Sequence, residues 1–393
     1  MRTLVVIHSL KMGGMERVAV NLADAFADEG HDSHLLSCRR KPNHLKPGNA
    51  KVTIHYHDQL QQLLKSGIGI PVFLFSRLLL GVLIPKSHYI WVGWLNGWLL
   101  KRHIRRIEKT HGRFDRIIFR GIGTFKYFWS FRDPRNTYVM ENILAPKSAG
   151  WLRSTEAKLL FDKRHLACVS RGVASSLQER ANVTGTKPAS LRVISNPCPV
   201  SDIRSKMTLS EPDLPDAPYI INVARLVPQK GHDRLLRAYA LANPSQLLVI
   251  VGDGKELHPL QKLAKELRIE ERVIFAGQRE NPYPWMRHAD VFVLSSVFEG
   301  FGIVLTEALA CGTPILSVDC PGGIRDILKG ELEANIAEPS AQGLAKAITE
   351  FLARPRTLVK EQWLDDFTAN HIVNQFLLSP EKVSGEASHK ANP

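Results

Sequence analysis

Short unbroken apolar runs recur along the chain, each followed by a turn residue and then by apolar positions at helical spacing. Residues 3–9 hold Leu4-Val5-Val6-Ile7, a run suited to a strand buried on both faces. A turn at Gly13-Gly14 leads into a stretch in which Val18, Leu22, Ala25 and Phe26 share one helical face, with Gly30 as its stop. Residues 34–37, 115–119, 138–140, 166–169 and 191–194 repeat the strand pattern, with helical segments between them, among them a basic helix over 99–111. Asn196-Pro197-Cys198-Pro199 then breaks the chain, and residues 208–218 form a Pro- and acid-rich connector. A second series follows, with strands at 219–224, 246–252, 273–277, 291–295 and 314–318. Its helices fall at 232–242, 256–268, 281–289 and 306–312, and residues 341–353 and 357–378 are helical in pattern. Strands alternating with helices make a parallel, doubly wound sheet, so the expected fold class is α/β with two Rossmann-like domains in tandem facing a cleft. The first domain is expected over 1–195 and the second over 196–355, with residues 379–393 a polar, disordered tail. No period of 20–50 residues is visible, which excludes a solenoid or propeller.

Composition agrees with two globular domains: 393 residues, 44% hydrophobic and 23% charged. Five scattered cysteines with no CxxC pair argue against a disulfide framework or a zinc ribbon. Charge changes the picture more. Residues 1–200 hold 31 Lys and Arg against 13 Asp and Glu, a net of +18, whereas the remainder holds 21 against 25, a net of −4. A basic half implies a polyanionic partner: nucleic acid, anionic lipid or a phosphorylated substrate. The N-terminus lacks the form of a signal peptide, and no charge-free run within 66–100 reaches spanning length. Tyr89, Trp91, Trp94 and Trp98 stand directly before the basic cluster at 101–109, a composition suited to the headgroup region of an anionic membrane or to a buried aromatic helix pair. The expected location is cytoplasmic and peripheral to the inner membrane face.

Ligands in doubly wound sheets bind beyond the carboxyl ends of strands, and the candidate chemistry stands there. Glu299-Gly300-Phe301-Gly302-Ile303-Val304-Leu305-Thr306-Glu307 joins a strand to a helix. Its glycines admit a close ligand, and a helix amino end offers unpaired amides to a phosphate. Glu307 is expected in the first turn, placed to accept from paired hydroxyls, and Glu299 is aimed beyond the phosphates. Arg225 and Lys230, five residues apart in a loop leaving a strand, can neutralise a diphosphate, the one as a planar fork and the other as a point charge. Gly252 lies in a tight Val251-Gly252-Asp253-Gly254 turn, and Gly13-Gly14 makes a glycine turn short of a full GxGxxG. No metal-binding motif accompanies these, so no metal and no cofactor is expected.

Taken together, these strings, with Ile194-Ser195-Asn196-Pro197 and Gly13-Gly14-Met15-Glu16-Arg17-Val18, resemble the retaining GT-B glycosyltransferases of family 4 over roughly residues 1–355. The resemblance implies a nucleotide sugar, with UDP-hexose expected, as co-substrate held mainly by the second domain. Arg225 and Lys230 would grip the diphosphate, Glu307 the ribose hydroxyls and Glu299 the donor sugar. The backbone at Gly302, Ile303 and Val304 would contact a phosphate, the turn at Gly277, Gln278 and Arg279 would lie beside the base, and Gly13-Gly14 would approach the diphosphate or sugar. Arg225, Lys230 and Glu299 would thus be the catalytic set, and a final helix over 356–378 would cross back to the first domain. Many members carry a His after the strand that here reads 115–119. Arg120-Gly121 stands there instead, with Glu141-Asn142 as a substitute. The acceptor implied is a glycan or a phosphorylated glycolipid of lipopolysaccharide type on an anionic membrane surface, with no nucleic acid. A nucleotide-sugar epimerase or phosphorylase on the same scaffold, and a basic nucleic-acid-binding protein, stand as alternatives.

Overall fold

The structure, a computed structural model, describes residues 1–11, 13–39, 45–80, 88–144, 151–355 and 358–378. The chain divides into two compact units, Met1–Pro197 with Ala369–Pro393, and Cys198–Thr368. The tail expected to be disordered, 379–393, lies outside the described residues.

Unit 1 runs β1 (Arg2–Ile7), α1 (Gly14–Asp28), β2 (Asp32–Ser37), β3 (Thr53–Tyr56), α2 (Gln59–Lys65), α3 (Gly69–Leu74), α4 (His88–His111), β4 (Arg116–Arg120), α5 (Ile122–Phe125), β5 (Asn136–Met140), α6 (Trp151–Phe161), β6 (His165–Cys168), α7 (Arg171–Thr184) and β7 (Ser190–Val193). Its seven strands lie in the order β3-β2-β1-β4-β5-β6-β7. Unit 2 runs α8 (Val200–Lys206), β8 (Tyr219–Val223), α9 (His232–Ala242), β9 (Leu247–Val251), α10 (Leu257–Glu266), β10 (Val273–Gly277), α11 (Tyr283–Arg287), β11 (Val291–Leu294), α12 (Ile303–Ala310), β12 (Ile315–Val318), α13 (Ile324–Ile327), β13 (Ile336–Ala337) and α14 (Ala341–Leu352). Its six strands lie in the order β10-β9-β8-β11-β12-β13. All these pairings are parallel.

Each order reverses beside its first strand, at β1/β4 and at β8/β11, the switch point where doubly wound sheets leave room for a ligand. The strands read as continuous apolar runs because helices cover both faces: Ile117–Phe119, Leu248–Ile250 and Val291–Leu294 are fully buried. In α1 the helical face of Val18, Leu22, Ala25 and Phe26 is buried, and α15 (Ala369–Leu377) packs on that helix with the rings of Phe26 and Phe376 6.4 Å apart. Helix α15 is therefore part of unit 1.

Four details depart from the sequence expectation. Strand β3 is extra. The basic helix starts at His88 rather than at 99. The segment read as one helix over 357–378 is a 3-10 stretch at Glu361–Phe367 and then α15, parted at Thr368. Helix α12 begins at Ile303, three residues before the expected start, so Glu307 lies in its second turn. The early start follows from Gly302, which holds φ +90° at the amino cap and lets the chain turn straight into the helix. Among the described residues no helix is long and apolar enough to cross a membrane.

Candidate active site

In unit 2 three loops at the carboxyl ends of β8, β9 and β11 are laced together. The chain leaves β8 through Ala224 and Arg225, dips to fully buried Leu226, and emerges again before Lys230. Ala224 donates to the carbonyl of Val251 (3.0 Å) and Leu226 to that of Asp253 (2.9 Å), so the turn after β9 braces the loop that carries both cations. Gly252 and Gly254 make that brace possible, with φ +149° and +159°; a Cβ on Gly252 would lie 1.9 Å from the Ala224 carbonyl oxygen. The Gly252 amide in turn donates to the carbonyl of Gly277 (2.8 Å), which ties in the turn holding Gln278 and Arg279.

Lys230 and Glu299 meet directly. The Lys230 Nζ donates to Glu299 Oε1 at 2.5 Å, and the Ser296 hydroxyl donates to the same oxygen at 2.6 Å. The lysine side chain is 17% exposed and the glutamate 8%, so this is a largely desolvated pair rather than a surface one. Removing one member of such a pair strands the other charge, at a cost of about 3–5 kcal/mol. Glu299 is fixed from behind as well: its amide donates to the carbonyl of Pro321 (3.0 Å), and the loop Pro321-Gly322-Gly323 runs against Gly300 and Phe301. Four residues on, the first-turn amides of Ile303 and Val304 have no upstream carbonyl in α12 to bond, as at any helix amino end. Glu307 is buried one turn further along and accepts from the Tyr283 hydroxyl at 3.4 Å. Arg225 is exposed at the rim.

Two thiols lie beside these carboxylates. Burial, reinforced by Glu307 and Glu299 respectively, pushes Cys311 and Cys320 up to about 12, so both stay protonated and unreactive at neutral pH. His232, at the start of α9, is held down to about 4 by burial and by the Lys230 charge, and is neutral. Arg279 is already engaged: it donates to Asp213 (2.7 Å) and Glu211 (3.4 Å), with its guanidinium 4.9 Å from the centre of the Trp285 ring. Among the described residues no group of three His, Cys, Asp or Glu could hold a metal ion.

Gly13 and Gly14 belong to unit 1, at the turn from β1 into α1, and the Glu16 side chain folds over Gly13. Arg120, standing where a His was expected, is fully buried at the end of β4. It approaches Glu141 at 2.6 Å and donates to Asn196 Oδ1 at 2.6 Å. Burial raises the Glu141 carboxyl even with the guanidinium beside it. This cluster sits at the carboxyl edge of its own sheet and consumes the substitute that the sequence offered. Tyr89, grouped with the exposed tryptophans in the sequence, is instead buried, with the Lys126 ammonium 4.8 Å from its ring centre. Sequence reasoning missed Ser296, Tyr283 and the Pro321–Gly323 loop. The Pro-Gly-Gly after a strand was a signal for the last, and nothing in the pattern marked the other two.

Residues 12–201 match the family model Glycosyltransferase Family 4, and residues 210–362 match Glycosyl transferases group 1. A lipopolysaccharide core biosynthesis glycosyltransferase of Rhizobium meliloti, LpsE, is 34% identical over 227 residues, covering 56% of this chain and 64% of that one. An N-acetylgalactosamine-N,N'-diacetylbacillosaminyl-diphospho-undecaprenol 4-alpha-N-acetylgalactosaminyltransferase of Campylobacter jejuni is 35% identical over 170 residues, covering 43% and 45%. The matches thus span less than two thirds of the length of these relatives. The Anabaena protein Alr3699/HepE, solved with UDP and glucose, superposes with a TM-score of 0.65 at 18% identity over 98% of this chain and all of that one, a likeness of fold. Two Rossmann-like parallel-sheet units are the architecture of the GT-B class. The chain belongs to the GT-B glycosyltransferases, with a family 4 first half and a group 1 second half.

Proposed function

We propose that the chain is a retaining glycosyltransferase that moves a hexose from a nucleotide diphosphate sugar, UDP-hexose first, to a glycan or glycolipid acceptor of lipopolysaccharide type at the inner membrane face. The observation that carries this reading is the Lys230–Glu299 pair set at the amide end of α12. A sugar leaving a diphosphate develops positive charge at the ring and negative charge on the phosphate, so the largest help is electrostatic. Lys230, Arg225 and the α12 terminus supply fixed positive potential for the departing diphosphate, with no metal required in the scheme. Glu299, held by Ser296 and Lys230, presents its second oxygen to sugar hydroxyls, and Glu307 presents its carboxylate to a ribose. In the retaining reaction the leaving phosphate takes the proton of the incoming hydroxyl on the same face, so no protein nucleophile is called for. UDP as the base carrier has support in the fold shared with a UDP-binding protein. A lipid-linked or lipopolysaccharide acceptor has support in the names of the relatives.

The test is a melting-temperature panel with UDP, GDP, ADP and CMP on the wild type and on Glu307→Ala. A nucleotide at a hundred times its Kd stabilises by about 2.7 kcal/mol, so one diphosphate is expected to raise the midpoint by several degrees and the variant to lose the response. No response to any diphosphate overturns the donor site. Lys230→Gln is expected to lower kcat by about 10²–10³, the usual loss for one oxyanion-stabilising donor. Conversion of the nucleotide sugar to its epimer, with no acceptor and no net release of UDP, would instead favour the epimerase.

A further inference from the structure

Residues 59–107 contain no Asp or Glu, while carrying Arg77 and the basic cluster from Lys101 to Arg106. The same stretch collects half of the large hydrophobic side chains that are exposed among the described residues. Two features make this a built surface. Helices α2, α3 and α4 have a small core of their own, in which Leu63 and Phe73 meet Val92, Leu95 and Leu99. A second face of α4 is packed as well, with Gly93 and Gly97 close against Trp129 and Ser130: the Trp129 indole donates to the Ile90 carbonyl at 2.8 Å, and a Cβ on Gly97 would lie 2.0 Å from the Ser130 hydroxyl.

What α4 then presents outward is ordered along its length. Trp91, Trp94 and Trp98 recur at i, i+3 and i+7 and are exposed, the last two by 59% and 53%. One and two turns on, the same line continues as Arg102 and Arg105, both exposed, with the Arg102 guanidinium 5.7 Å from the centre of the Trp98 ring. The segment before α4, which packs on that helix, exposes Leu74, Phe75 and Leu78.

We propose that this face is a membrane-docking surface whose partner is an anionic phospholipid bilayer: the tryptophans seat at the boundary of headgroups and acyl chains, and Arg102 and Arg105 pair with lipid phosphates. Charge complementarity selects this occupant. A second copy would bring basic rows together, and a nucleic acid has no use for Leu74, Phe75 and Leu78. Indole rings next to arginines fit the chemical layering of an interface. The inference deepens the acceptor side of the reading above, on which it rests for the presence of a membrane.

The experiment is flotation of the full chain with vesicles of phosphatidylethanolamine and phosphatidylglycerol, and with vesicles of phosphatidylcholine alone. Wild type floats with the anionic vesicles. Trp94→Ala/Trp98→Ala weakens this by at least about tenfold, and Arg102→Glu/Arg105→Glu removes the preference for the anionic lipid. Because all four side chains are exposed, the variants should keep the wild-type melting temperature and its response to UDP. The proposal falls if wild type ignores both vesicles, or if the variants float as wild type does. It falls equally if the tryptophan variant converts a dimer to a monomer, which would make the face a self-interface, or if duplex DNA displaces the vesicles through the same arginines. A retained UDP response without flotation sinks this inference and leaves the donor site standing; flotation without a UDP response does the reverse.

Discussion

At Gly252 a single hydrogen in place of a side chain decides whether the cation-bearing loop can be braced at all. With φ +149° and backbone only 1.9 Å from where a Cβ would stand, Gly252→Ala combines backbone strain with a clash that no rotamer relieves. The expected cost is about 2–4 kcal/mol, a fall of roughly 5–15 °C in the melting of unit 2. Gly14→Ala is the contrast: nothing lies within 4 Å of its would-be Cβ in a helix, and a gain of up to about 1 kcal/mol is expected. Histidines set the response to acid. Burial lowers His8, His55 and His232 to about 4 and His57 to about 3. Their folded pKa values lie below the unfolded one, so the stabilisation is full above about pH 6.5 and is lost as pH falls from there towards 4. For the best-buried rings, His57 and His232, the slope approaches about 1.4 kcal/mol per pH unit each. Melting curves from pH 7 to pH 5 should show a falling midpoint, and His57→Gln should flatten that fall; a midpoint indifferent to pH would refute it.

Elements were legible where burial is two-sided and obscure where it is not. Strands such as Val291–Leu294 announce themselves because every residue is apolar, whereas β3, Thr-Ile-His-Tyr at the sheet edge, is only half buried and leaves no such run. The start of α12 was misread because Ile303 and Val304 are β-branched and favour extended chain, a preference overruled by the left-handed cap at Gly302 and by burial of Leu305. The pairing of Lys230 with Glu299 could not be read at all, since it joins residues 69 apart through a register that only the β8/β11 pairing sets. The residue types were visible; their partnership was not. The loop after β12 supports that partnership, and a Cβ on Gly323 would lie 2.7 Å from the Phe301 backbone. Gly323→Ala should therefore push the Glu299–Gly302 turn outward and weaken diphosphate binding by about tenfold or more, as a loss of the melting response, with far-UV dichroism unchanged. Full retention of binding would count against the brace.

On the scale of the molecule, the first unit is closed by α15, the last helix among the described residues. Phe376 meets Phe26, the Asn370 amide donates to Glu29 at 2.7 Å, and Arg116 donates to the carbonyl of Leu377 at 3.1 Å. Ending the chain at Thr368 should strip an apolar face from α1 and lower the melting of unit 1, by about 3–5 kcal/mol for the Phe376 contacts alone, while unit 2 keeps its transition. Calorimetry of the truncated chain separates the two, and an unchanged unit 1 would show the helix to be dispensable. The path that produces this closure also makes the second unit an insertion, leaving its host after Pro197 and rejoining it at Ala369. In the transferase reading, the part that recognises the donor is therefore a removable cassette with two splice points. A relative's cassette could be grafted between those points to exchange the sugar delivered, leaving untouched the body that α15 seals.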